Sequence, residues 1–360
     1  MVPAGEKSGP ASQKVGEADP LAFFDEAYRA FEEAERKTDG ATERFFDIAD
    51  YRVRLRFSSP ALVPIITPAL EHLEADRSPT PALTVCVWDS ASTGVGMPAP
   101  PWTSENYGAR GEITGYSNDR IHTVFDLGSG VLSMLDLERN LGIFWVRDAD
   151  RLPFWESGAP LRIIFHWWMR RHENQLTHAA AVGNAEGGVL LVGRGGSGKS
   201  TTALACLDSR LKFVSDDYCL VRTRPVPHVY SIYSSGKLTF GSLEKFPGLE
   251  TVFSQVETIK ADKMLYFLGK KYYGKIASGF PLRAILLPHV RGGTDTSLEP
   301  VSQIAALRAL APSSIFQLPG AGRSEFETLA RLVKEIPCYA LALGTDLRQI
   351  PEVISELLDG

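Results

Sequence analysis

The sequence predicts an α/β protein: a phosphate-loop domain over residues 151–360, preceded by a smaller α+β domain over 20–150 and a tail over 1–19. Three observations predict it. Gly193-Arg194-Gly195-Gly196-Ser197-Gly198-Lys199-Ser200-Thr201 fits G-x-x-x-x-G-K-[ST] at every fixed position, between the apolar run Gly188–Val192 and the helix-forming run Thr202–Leu207. Phe213-Val214-Ser215-Asp216-Asp217 then delivers two adjacent carboxylates at the end of a strand, 17 residues after Lys199. Ahead of both, closely spaced strand candidates with few helices fill the first part of the chain.

The whole-chain quantities agree with that class. At 360 residues the chain has room for two domains. Its 44% hydrophobic and 22% charged residues are ordinary for a globular protein. A net charge of −5 argues against nucleic-acid binding by bulk attraction. Cys86, Cys206, Cys219 and Cys338 lie far apart with no C-x-x-C pair, so neither a zinc site nor a disulfide framework is expected. No apolar run is long enough to span a bilayer, and no signal pattern opens the chain. The expectation is a cytoplasmic protein with no membrane partner.

Taken in order, residues 1–19 are rich in Gly, Pro, Ser, Lys and Glu and predict disorder. Leu21, Phe23, Phe24, Ala27, Tyr28 and Phe31 fall at helical spacing behind a cap at Asp19. Tyr51–Phe57 alternates apolar residues with Arg52, Arg54 and Arg56, a half-exposed strand with a solvated basic face. Pro60–Leu73 reads as a helix kinked by Pro64 and Pro68. Strands follow at Thr84–Trp88, Glu112–Tyr116, His122–Leu127, Val131–Asp136 and Gly142–Val146, and their spacing predicts an antiparallel sheet. His122 and Asp126 are neighbours on one strand, not a catalytic constellation. Leu161–Arg171 is a helix apolar on most sides. Leu176–Val182 and Gly188–Val192 read as two strands joined by a turn, with His178 in the first.

The loop's chemistry comes from its backbone. Glycines let successive N–H groups point inward as an anion nest, and the following helix adds its positive end. Lys199 would reach the outer phosphates, and the Ser200 hydroxyl would hold magnesium. One helix and a return strand consume about 17 residues, so the acids are expected beside the loop. Two carboxylates there can hold magnesium or accept a hydroxyl proton.

The last third carries a basic concentration, Lys260, Lys263, Lys270, Lys271 and Lys275 among Tyr266, Phe267, Tyr272 and Tyr273. It suits either a phosphate or acidic-peptide contact or a solvated face. Lys237, Arg283 and Arg291 are further phosphate candidates. Ala284–Leu287 and Cys338–Leu343 read as strands. Ser302–Leu310, Glu325–Glu335 and Ile350–Leu358 read as helices. Gln317–Arg323 reads as a mobile connection.

His178, the loop at Gly193–Ser200 and Phe213–Asp217 resemble, in order and spacing, the catalytic domain of HPr kinase/phosphorylase, a fold of HPr-kinase/PEP-carboxykinase type. The likeness is close over residues 175–221 and looser over 167–360. Related proteins stand beside lasso-peptide and other peptide-maturation genes. The resemblance implies an ATP- and Mg2+-dependent transfer of the γ-phosphoryl group to a hydroxyl, a Ser of a peptide or protein, by a chain that forms a homo-oligomer. It implies Asp216 as general base, Asp217 as magnesium ligand with Ser200, Lys199 as stabiliser of the transferred charge, and His178 near the outer phosphates. The segment Tyr233–Leu238 does not match the family's glycine-containing signature, so neither the reverse reaction, nor HPr as acceptor, nor the family's hexamer is implied. The rival readings are a small-metabolite kinase, a nucleotide hydrolase, and a non-catalytic nucleotide sensor.

Overall fold

The computed structural model describes residues 19–38, 40–249 and 263–360. The expected tail up to residue 18, Lys260 and the side chain of Lys270 lie outside the described residues.

The first element, α1 (Pro20–Lys37), starts where Asp19 Oδ1 accepts from the Ala22 N–H at 3.0 Å and Pro20 fixes the first turn. Phe23, Phe24, Ala27, Phe31 and Ala34 form its buried stripe. Strands β1 (Thr42–Ile48) and β2 (Tyr51–Phe57) form a hairpin. After them come α2 (Val63–Ile66), β3 (Leu83–Asp89), α3 (Ser90–Thr93), β4 (Ile121–Asp126), β5 (Val131–Asp136) and β6 (Leu141–Val146). The six strands make one sheet in the order β1-β2-β3-β6-β5-β4.

That sheet corrects the antiparallel expectation: β2–β3 and β3–β6 are parallel, and the other pairs are antiparallel. Alternation records which face of a strand is buried, not the direction of its neighbour. The single kinked helix over 60–73 is also corrected. The segment is the four-residue α2, then a 3-10 turn at Glu71–Leu73, with Pro68 between them. Glu112–Tyr116 contributes only isolated bridges. The arginine face of β2 is not simply solvated: Arg56 ion-pairs with Glu35 of α1 at 2.6 Å, and Arg52 with Asp47 at 2.5 Å.

The chain continues through α4 (Phe154–Gly158), α5 (Arg162–Arg171), β7 (Gln175–Thr177), β8 (Ala180–Asn184), β9 (Gly187–Leu191), α6 (Lys199–Ala205), β10 (Lys212–Ser215), β11 (Cys219–Arg222), β12 (His228–Ser231) and β13 (Ser235–Thr239). It ends with α7 (Phe240–Leu243), β14 (Lys263–Phe267), β15 (Gly279–Val290), β16 (Ser297–Pro300), α8 (Gln303–Ile315), α9 (Arg323–Glu335), β17 (Cys338–Leu343) and α10 (Gln349–Asp359). Nine of these strands form a second sheet, in the order β10-β8-β9-β15-β12-β11-β7, with β17 added beside β15 and β16 beside β17. The expected Ala284–Leu287 strand is the middle of the long β15. Its first residues pair antiparallel with β12, and its later ones run parallel to β9 and β17. The expected Leu176–Val182 strand is two strands in different parts of the sheet, broken at His178 and Ala179. Here β7 pairs with β11 and β8 with β9. A smaller ribbon, β13–β14, stands apart.

Helices cover both faces of the nine-stranded sheet. On one face, Ala203 and Leu204 of α6 and Ile350 and Ile354 of α10 pack on Val182, Val189, Leu191 and Leu341. On the other, Phe165 and Trp168 of α5, Leu310 of α8 and Leu329 of α9 join a core that also takes in Val85, Val87, Leu135 and Phe144 of the six-stranded sheet. One continuous apolar core therefore reaches from the first sheet to the second. The Gln317–Arg323 connection is pinned, not free: Trp167 Nε1 donates to Pro319 O at 3.1 Å, Arg110 to Leu318 O at 2.6 Å and Arg170 to Gly320 O at 3.1 Å. Among the described residues no helix is long and apolar enough to cross a membrane.

Because the core is shared, truncating it at α5 should weaken both sheets together. Phe165 is fully buried there. Phe165→Ala is expected to cost about 3–5 kcal/mol. Calorimetry and tryptophan fluorescence should both follow one transition, at a lower temperature than in the parent chain. Two separated transitions would show that the halves do not share a core in solution.

Candidate functional site

The glycine loop leaves the end of β9, turns, and enters α6. Gly193, Gly196 and Gly198 all take positive φ, and a side chain at Gly198 would also overlap Leu343 at the end of β17. The loop is thus seated on the sheet as well as folded on itself. Lys199 is 7% exposed, and its Nζ donates to Gly193 O at 2.6 Å. Burial lowers its pKa, and the charges of Asp216 and Asp217 resist that shift.

The two acids sit on the turn between β10 and β11. Ser215 closes that turn by donating from Oγ to Tyr218 O at 2.6 Å. A register shift between Phe213 and Ser215, where β10 pairs with β8, precedes them. β10 is one strand removed from β9, yet its end brings the acids into the loop's cleft. That cleft has a volume of about 590 Å³ and is lined by Gly195, Gly196, Gly198, Lys199, Ser200 and Thr201 of the loop and by Asp216, Asp217 and Tyr218 of the turn. His178, Lys237, Lys245 and Lys263 add to its polar wall.

The adjacent carboxylates meet opposite environments. Asp217 is fully engaged: Oδ1 lies 2.9 Å from His178 Nε2, and Oδ2 accepts from Lys237 Nζ at 2.9 Å. Burial alone would raise its pKa, but the Lys237 charge and the His178 hydrogen bond hold it well below the usual carboxylate range. Asp216 is 3% exposed. Its Oδ2 accepts from the Tyr266 hydroxyl at 2.7 Å, while Oδ1 is buried with no hydrogen-bond partner. Burial pushes its pKa up to about 6, against the pull of Tyr266, the neighbouring Ser200 and Lys199. One carboxylate is locked as an anion and the other is poised to take a proton.

His178 lies in the break between β7 and β8. Its backbone N–H donates to Ser314 Oγ at 3.2 Å, and its ring stands 5.2 Å from that of Tyr218. Tyr218 donates in turn to Gln317 Oε1 at 2.9 Å.

Other expected residues fall elsewhere. Arg194 is exposed on the outside of the loop, and Gly193 and Ser197 do not line the cleft. Arg283 donates to Glu186 O, and Arg291 pairs with Glu299. Among the described residues of the basic stretch Lys263 lines the cleft, while Lys271 and Lys275 donate to the backbone oxygens of Gly248 and Ser209.

Besides Lys245, three contributors were not singled out as site residues from the sequence. Tyr266 was read only as part of a basic, aromatic stretch, but in the β13–β14 ribbon it faces Gly236, and its hydroxyl fixes Asp216. Gly236 permits this approach, since a side chain there would overlap both Asp216 Oδ2 and the Tyr266 hydroxyl. Arg162, at the start of α5, lines the cleft and stands 5.7 Å over the Tyr218 ring. No local spacing marks any of the three.

No protein-family model matches the chain, and no curated protein matches it in sequence. Among solved structures, one match is the HPr(Ser) kinase/phosphatase from Coxiella burnetii, at 12% identity over 51% of this chain and 94% of that one, with a TM-score of 0.27. A likeness at that score carries no weight for fold or function.

Two consequences can be measured. Gly236→Ala should force Asp216 and Tyr266 apart, costing about 1–3 kcal/mol of stability in a thermal melt; an unchanged melt would show that the ribbon does not press on Asp216. Asp216 should itself burden the fold. Its folded pKa of about 6 lies above the ordinary 3.8, so the stability it lends is present below pH 4 and lost as pH rises through 6. At neutral pH the cost is on the order of 3 kcal/mol. Asp216→Asn should therefore melt higher than the parent at pH 7.5 and no higher at pH 4. A lower melt at pH 7.5 would mean that Asp216 is not buried as described.

Proposed function

We propose that this chain is an ATP-dependent phosphotransferase that moves the γ-phosphoryl group to a hydroxyl, the acceptor being a Ser of a peptide or protein. The observation that carries the reading is the unpartnered Oδ1 of Asp216, a buried carboxylate in the same cleft as Lys199 and the glycine loop. In this reading the loop's backbone N–H groups cradle the phosphates, and Lys199 exchanges its contact with Gly193 O for the terminal phosphate. Asp216 Oδ1 accepts the acceptor's hydroxyl proton as its oxygen attacks phosphorus in line with the leaving β-phosphate oxygen. A pKa near 6 leaves Asp216 mostly ionised at neutral pH while keeping it a usable base. Tyr266 keeps Oδ2 occupied, so Oδ1 is the oxygen presented.

The donor set suits magnesium. Ser200, Asp216 and Asp217 are hard oxygen donors on one cleft. Among the described residues no group of three or more His, Cys, Asp or Glu side chains could hold a metal ion on its own. That agrees with an ion held by one or two carboxylates, a hydroxyl and the substrate's phosphates. Ser200 with Asp217 would hold it, and when bound it would offset charge on the phosphates. His178 and Lys237 orient Asp217, and Lys245 and Lys263 add positive charge at the mouth.

Incubation with ATP and magnesium and a panel of Ser-containing peptides, read by mass spectrometry, tests the proposal. The expected product is a peptide heavier by one phosphate, absent with Lys199→Ala. Asp216→Asn should slow transfer by roughly 10²–10⁴ while ATP still binds. ATP binding with no turnover on any acceptor would support a sensor instead. Transfer at the parent rate in Asp216→Asn would remove Asp216 from the mechanism.

A further inference from the structure

A second cavity, of about 350 Å³, lies between α5, α9 and the ends of β7 and β11. Its lining is unusual for a protein interior. His166 is 1% exposed, Asn174 is fully buried and Gln175 is 5% exposed, and all three line it. Both ring nitrogens of His166, Oδ1 of Asn174 and both amide atoms of Gln175 have no hydrogen-bond partner in the protein. An unsatisfied buried polar atom costs on the order of 1–3 kcal/mol. Five such atoms around one space are the mark of a site that something polar fills.

The cavity also has a basic rim. Arg170, Arg224 and Arg331 line it, against Glu173 and Glu325. Arg170 is committed to Glu325 at 3.0 Å. Arg224 and Arg331 make no ion pair among the described residues. Glu325 is itself held, since its Oε2 accepts from the Gly322 N–H at 2.7 Å. Two guanidinium forks are thus left for a ligand, and their geometry suits a carboxylate or phosphate.

We propose that this cavity is a binding site for a small organic oxyanion, a carboxylate or phosphate monoester. Its charged end would lie on Arg224 and Arg331, and its polar body would satisfy His166, Asn174 and Gln175. The site is distinct from the cleft. Gln175 pairs with Val221 and Thr177 with Cys219. The cavity therefore takes the start of β7 and the residues after β11, while His178 after β7 and Asp217 before β11 belong to the cleft. The same two strands connect both sites. The proposal does not rest on the phosphotransferase reading.

Calorimetric titration of the full chain with inorganic phosphate and, separately, with malate tests it. Phosphate also fits the glycine loop, so each titration is repeated in Lys199→Ala. Saturable binding of at least one probe that persists in Lys199→Ala and weakens at least tenfold in Arg224→Ala/Arg331→Ala is the expected result. Both arginines lie at the rim, and circular dichroism of that double variant checks that it folds. Absence of saturable binding by either probe would overturn the proposal, leaving water as the partner of the buried groups. So would binding that vanishes with Lys199→Ala, or that is unaffected by loss of the two arginines.

Discussion

The arrangement of the cleft depends on two costly charges: a buried carboxylate, Asp216, and a buried lysine, Lys199, that line one cleft and feel each other's charge without forming an ion pair. Desolvation works against both charges, raising the pKa of the acid and lowering that of the base. Each is held by a separate device. Lys199 leans on the carbonyl of its own loop, and Asp216 leans on a tyrosine from a ribbon outside the sheet. Because each leans on a neutral partner, both keep hydrogen-bonding capacity toward the same cleft. Asp217, one residue on, already has a cationic or hydrogen-bonding partner on each oxygen, His178 and Lys237, so only its remaining lone pairs are left for a ligand.

The scaffold explains how so strained a site is tolerated. The glycine loop is fixed at both ends by strand and helix, and Gly198 seats it against β17. The acids ride on a turn between β10, at one end of the strand order, and β11, next to its other end, in a sheet with helices on both faces. The apolar core beneath is continuous with that of the first sheet. Burial on this scale outweighs a few kcal/mol of desolvation at one turn. The β13–β14 ribbon adds Lys237 to one acid and Tyr266 to the other from adjacent registers, so one small element sets the different fates of the two carboxylates.

Part of this was legible in the sequence and part was not, for physical reasons. The glycine loop and the acid pair are local patterns whose chemistry requires fixed spacing, and the structure places both on one cleft. Strand existence was also readable: Val131–Asp136 and Cys338–Leu343 match residue for residue, because each is a short, mostly apolar run of strand length. Strand direction was not, because neither the alternation of β2 nor the continuous burial of β3 and β6 records which way a neighbour runs. The break at His178 was hidden because the residues on both sides are apolar. Tyr266 and Gly236 were invisible as site residues because their importance comes from a meeting of segments far apart in the chain. Arg162 sat at the start of a helix read as an ordinary packing element.

The competing readings of the cleft make different demands on Asp216. A module that only senses a nucleotide needs the anion nest, the lysine and a metal donor, and Asp217 with Ser200 can provide the last. It gains nothing from a second carboxylate buried with one oxygen idle, and an asparagine there would keep the Tyr266 contact without the charge. A hydrolase without an acceptor needs a group to orient water, but it does not need the open, lysine-rimmed mouth formed by Lys245 and Lys263. The proposed base beside a phosphate cradle would account for the idle oxygen, the raised pKa and the lysines of the cleft together. Each of those features alone has a simpler explanation. Their convergence on one cleft is what favours proton abstraction from an incoming hydroxyl over simple nucleotide binding.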